Sequence, residues 1–115
     1  MSRNLGKDCS ASQENDIARL LGGRVQSNSG GTRFGGGDVL TAQFFIEAKT
    51  PTKEQTSFSI KREWVHKMKE QAFEQGKYHS ALAFRFDPDG EDYFVINSRL
   101  MKELVDHLEK EDADE

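Results

Sequence analysis

Asp38, Glu47 and Lys49 are the residues of this chain best equipped for chemistry. In "DVLTAQFFIEAK" an acid opens one strand-like run, and an acid and a base close the next. A strand alternates its faces with a period of two, so Glu47 and Lys49 share one face while Ile46 and Ala48 share the other. A turn centred on Ala42-Gln43 sets Asp38 directly across from Glu47. A turn one residue earlier makes Asp38 a diagonal neighbour, still within reach of a shared ion. Two carboxylates are hard oxygen ligands for Mg2+, which keeps several waters and accepts phosphate oxygens. Such an ion acidifies a bound water, and a nearby ammonium offsets charge growing on phosphorus. The plainer alternative is a surface ion pair of Glu47 with Lys49 or Lys53, and an Asp38 that caps a strand. Phe44-Phe45-Ile46 weighs against it, because that run describes a buried strand ending in polar residues.

The stretch before Asp38, "SNSGGTRFGGGDV", is rich in glycine. It has the glycine spacing of a phosphate-binding loop, but Gly37-Asp38 stands where Lys and Ser/Thr are needed. It also leads into a strand, so no helix N-terminus would face a phosphate. No separate foldable body lies on either side, which excludes a linker. The remaining reading is a mobile loop that delivers Asp38 and lets a polymer backbone come close.

The elements that must position these residues follow from periodicity. Residues 1–9 read as disordered. "SASQENDIARLL" reads as a helix in which Ser10 and Gln13 fit a capping box and Ile17, Leu20 and Leu21 form the apolar stripe. Gly22-Gly23 stops it. A short strand "RVQSN" precedes the glycines. A second helix starts near Ser59 with Ile60, Trp64, Met68 and Ala72 four apart, flanked by Val65 and Phe73. "SALAFRF" and "DYFVIN" are apolar enough to predict two central strands covered on both faces. A third helix spans Ser98 to about Lys110, and residues 111–115 form an acidic tail. The expected order is α-β-β-β-α-β-β-α: one α/β domain over residues 10–110, a mixed sheet with helices packed on it.

Composition bounds the function. Apolar residues are 35% and charged residues 31% of 115, which predicts a thin core in one small domain. The net charge of −4 is unevenly spread: residues 1–86 hold thirteen bases and nine acids, and residues 87–115 three and eleven. A basic body with an acidic extension fits a polyanion-binding domain; an ordinary surface with an acidic end fits it as well. Lone Cys9 and the absence of any apolar run of spanning length predict a cytoplasmic protein with no disulfide and no membrane partner. His66, His79, His107 and Cys9 lack zinc-ligand spacing, so no zinc is expected.

"GGDV" followed by "FFIEAKT" resembles the PD-(D/E)XK nuclease motif, with Asp38, Glu47 and Lys49 in its three defining places. From residue 10 to about 97 the chain is similar to archaeal-type Holliday junction resolvases and their phage relatives. The resemblance implies a restriction-endonuclease-like core and a Mg2+-dependent endonuclease, with Mn2+ able to substitute. It also implies that Glu14 and the Ala48 carbonyl complete the metal site, and that Arg24 and Ser29 touch DNA. The substrate would be branched DNA, cut by a homodimer, since two symmetric cuts need two sites. Two departures are visible: Gly37 replaces the usual proline, and nine residues from Asp38 to Glu47 make a tight hairpin.

Bases flank the proposed site. From Ile17 to Gly37 the charges are Arg19, Arg24 and Arg33, and from Lys49 to Lys69 six bases face two acids. Arg33, Lys53 and Ser57 are candidate phosphate contacts; Thr56 and Ser57 equally suit a helix cap, and the lysines of the second helix suit a solvated face. Trp64 reads as core or dimer interface. Other members of the same superfamily, acting on duplex or flapped DNA, and a non-catalytic DNA-binding module remain the alternatives.

Overall fold

A computed structural model describes residues 5–26 and 38–113. In chain order it contains α1 (Leu5–Leu21), β1 (Arg24–Gln26), β2 (Asp38–Leu40), β3 (Phe44–Lys49), α2 (Arg62–Glu74), β4 (His79–Phe84), β5 (Tyr93–Val95) and α3 (Ser98–Ala113). The order of elements is the one read from the sequence. One sheet runs β1-β2-β3-β4-β5, antiparallel except for the parallel β3–β4 pair that α2 connects.

The hairpin that carries the site is tight because its turn is closed by two bonds. The Thr41 N–H donates to the Phe44 carbonyl at 3.0 Å, and the Phe44 N–H donates to Thr41 Oγ1 at 3.0 Å. Its register sets Asp38 opposite Glu47, Val39 opposite Ile46 and Leu40 opposite Phe45, as a turn on Ala42-Gln43 requires.

Alternation then builds two cores. Val39, Ile46, Ala48, Ala81 and Ala83 face α1 and close around Ile17. Leu40, Phe45 and Leu82 face α2 and close around Met68 and Ala72, with Phe58, Trp64 and Phe84 at the margin. The α1-side core is rich in alanine, while the α2-side core holds the bulkier Leu40, Phe45, Met68 and Leu82. Gly22, at φ +70°, turns the chain out of α1. At Gly23 a Cβ would lie 2.5 Å from the Leu40 carbonyl oxygen, so only glycine fits there.

Several expectations are corrected. α1 begins at Leu5, so residues 5–9 are helical and Ser10-Gln13 is no cap. Gln13 is fully buried instead, donating to Asp92 Oδ1 at 2.9 Å and accepting from Thr50 Oγ1. Tertiary partners for its amide outweigh the local pattern. α2 starts at Arg62 with Lys61 as its N-cap and no side-chain cap bond, so Thr56 and Ser57 do not cap it. Ile60 lies outside the helix and is exposed, as is Phe73. β5 is an edge strand with Tyr93 and Phe94 exposed, whereas β4 is covered on both faces. α3 continues to Ala113, into the acidic segment, and Asn97 caps it by accepting from the Leu100 N–H at 2.9 Å. Among the described residues no helix is long and apolar enough to cross a membrane.

Candidate active site

Asp38 opens β2 and Glu47 lies directly across the hairpin from it, so their side chains rise on the same face, the one α2 covers. Lys49, two residues on, rises beside them. Lys49 Nζ lies 3.3 Å from Glu47 Oε1 and 4.3 Å from the centre of the Trp64 ring. Lys61 Nζ lies 5.6 Å from the same ring. The ammonium of Lys49 is thus held between a carboxylate and an aromatic face, an arrangement worth more where solvent is partly excluded.

The two carboxylates are poorly solvated. Asp38 is buried, and its pKa is pushed up from 3.8 to about 6. Burial is the main cause, the negative charge of Glu47 adds to it, and Lys49 and Lys67 pull the other way. Glu47 Oε2 is buried and, among the described residues, accepts no hydrogen bond, although Oε1 is paired with Lys49. A buried carboxylate oxygen without a donor, facing a second carboxylate that resists ionisation, lacks positive charge. A hard divalent cation bridging Asp38 and Glu47 would satisfy both, and Mg2+ commonly uses only one or two carboxylates plus substrate oxygens. The side chains present fit that group.

Glu14 comes from a different element. It is buried on α1, which packs on the opposite face, and among the described residues no three acidic, histidine or cysteine side chains are gathered to hold a metal ion. Ala48 sits between Glu47 and Lys49 with its methyl group in the α1-side core. Arg24 is exposed at the start of β1, opposite Leu40; the residue across from Asp38 is Gln26. Lys53 and Ser57 are exposed in the segment between β3 and α2. Ser29 and Arg33 lie outside the described residues.

Two residues gain a role that the sequence did not assign them. Trp64 meets Lys49 rather than only the core, and Lys67 is close enough to act on Asp38. Their spacing on the first two turns of α2, three apart after Lys61, was the available signal. A second polar cluster was not foreseen at all. Arg85, 2% exposed, grips Asp92 with Nε–Oδ1 at 2.8 Å and Nη2–Oδ2 at 2.9 Å. It also donates to Asp16 Oδ2 and to the Pro88 carbonyl, each at 2.9 Å. The Asp92 hydrogen bond raises its pKa against the opposing effect of burial, so the guanidinium stays charged. Through Asp92 and Gln13 this cluster reaches Thr50, tying α1 to the strand end that carries Lys49. Comparison of the chain with protein-family models, curated proteins and solved structures finds no match.

Proposed function

We propose that this protein is a metal-dependent DNA endonuclease of the PD-(D/E)XK type, hydrolysing phosphodiester bonds in branched DNA as a Holliday junction resolvase in the cytoplasm. One observation carries the reading: Asp38 and Glu47 oppose each other across a hairpin, with the Lys49 ammonium 3.3 Å from Glu47 on the same face. Asp38 and Glu47 would hold Mg2+, or Mn2+ in its place. The bound ion would acidify the attacking water and stabilise negative charge on the phosphoryl oxygens.

The chain's own groups do the rest. Lys49, anchored against Trp64, presents an ammonium beside the reacting phosphate, where it orients water and offsets charge. Lys67 and Lys61 on the rim supply phosphate contacts that position the strand without reading sequence. Water is the nucleophile. Because one chain holds one such site, paired cuts call for two chains.

The test is a substrate panel of a synthetic four-way junction, a flap and a linear duplex, with Mg2+ or Mn2+. Wild type is expected to nick the junction symmetrically, and Asp38→Asn to bind it without cutting. Equal cutting of linear duplex would remove the junction assignment, and no cutting of any DNA would remove the enzyme.

A further inference from the structure

The strand that carries Lys49 ends at Lys49. In the parallel ladder Lys49 opposite Phe84 is the last pair, and in the next ladder Phe84 opposite Tyr93 is the last. One residue beyond that rung stand Thr50, Arg85 and Asp92. Strand alternation sends Lys49, Phe84 and Tyr93 toward α2, so these three turn to the opposite face, where α1 lies. There they meet Gln13, a fully buried amide that must be satisfied at both of its ends. Its Nε2 donates to Asp92 Oδ1 at 2.9 Å, and its Oε1 accepts from Thr50 Oγ1. The amide cannot be turned round. The Asp92 carboxylate only accepts, so the donor end of Gln13 must face it and the carbonyl end must face Thr50. Asp92 is fixed in turn, because Arg85 holds both of its oxygens. Arg85 is braced by Asp16 Oδ2 and the Pro88 carbonyl.

We infer that Gln13 and Thr50 are positioning residues for Lys49. From the α1 face they fix the end of β3, and so hold the Lys49 ammonium between Glu47 and the Trp64 ring on the other face. The restraint falls on the residue next to Lys49, at a strand end that has no further ladder pair and would otherwise fray. Lysine has a flexible four-carbon stem, so its root must be fixed if Nζ is to stay 3.3 Å from Glu47 Oε1 and 4.3 Å from the ring centre. A loose root is expensive for catalysis, since a displacement of about 1 Å costs about a hundredfold in rate. Stability alone does not call for this amide, because apolar groups of the same shape in place of it and its partners would be nearly neutral.

The rate effect rests on the catalytic role proposed above for Lys49, but the geometry has a readout of its own. Trp64 is the one tryptophan of the chain, and its emission reports on the ammonium against its ring. Lys49→Met sets the change that loss of the ammonium produces. Gln13→Met and Thr50→Val remove the amide and the hydroxyl while keeping side-chain size. Thr50 is half-buried, so its variant disturbs the fold least. Both are expected to reproduce most of the Lys49→Met change, and to add nothing to it in the Lys49→Met background. Thr50→Ser keeps the hydroxyl and should emit as wild type does. In junction cleavage both variants should lower kcat about ten- to a hundredfold with KM nearly unchanged, and Thr50→Ser should restore kcat. Wild-type emission from both variants, or changes equally large in the Lys49→Met background, would overturn the inference. So would a loss of stability in urea with kcat intact, which marks a clamp with no hold on Lys49. If wild type cuts no DNA while the emission series holds, the nuclease reading falls and the positioning stands.

Discussion

Replacing Asp38 with asparagine should make the protein more stable at pH 8 and leave it nearly unchanged at pH 4. The carboxyl group has a pKa of about 6 in the fold against 3.8 when exposed, chiefly because it is buried. Below pH 3.8 both states hold the proton and the site costs nothing. Between 3.8 and 6 the unfolded chain releases the proton first, so native stability falls; above 6 the full penalty is present. A gap of about two units corresponds to roughly 3 kcal/mol. The site edge meets solvent near Lys49 and Lys67, so screening reduces the net effect to about 1–2 kcal/mol. Urea unfolding of wild type and Asp38→Asn across this pH range measures it. Trp64, the one tryptophan of the chain and half-buried against the site, provides the signal. An Asn variant destabilised equally at pH 4 and pH 8 would refute the reasoning, because a lost packing or hydrogen-bonding role has no such pH dependence. A Mg2+ titration adds a second arm. If the ion binds the native site, wild type gains about 2.7 kcal/mol at a hundredfold excess over Kd, and Asp38→Asn gains none.

Other outcomes follow from the same geometry. Lys49→Met should slow cleavage at least about a hundredfold while junction affinity in a gel-shift titration changes little, since the ammonium acts on developing charge. Arg85→Met leaves Asp92 without its cation in a buried cluster and should cost about 3–4 kcal/mol in urea unfolding. Replacing Asp92 with leucine in that variant should recover much of the loss. Gly23→Ala drives a methyl group into the Leu40 carbonyl and should cost about 1–3 kcal/mol by the same measurement.

Local pattern was enough for the element order and for bringing Asp38 within reach of Glu47, with two hairpin registers left open that the structure resolves in favour of direct opposition. Both depend on short-range rules: a period of two, a period of 3.6 and the length of one turn. The sequence also put Glu47, Lys49 and the aromatic run before them on one strand, which is why the candidate chemistry was legible. It misplaced what depends on partners distant in the chain. Gln13 looked like a cap because nothing nearby shows that Asp92, 79 residues away, receives its amide. "DYFVIN" looked like a central strand, since apolar composition does not reveal which strand stands at the edge. The sequence by itself determined which groups could react and that Glu47 and Lys49 share a strand face. Only the tertiary structure decided the hairpin register that sets Asp38 opposite Glu47, how dry their face is and what lies against Lys49, because burial and charge proximity arise when separate elements pack together.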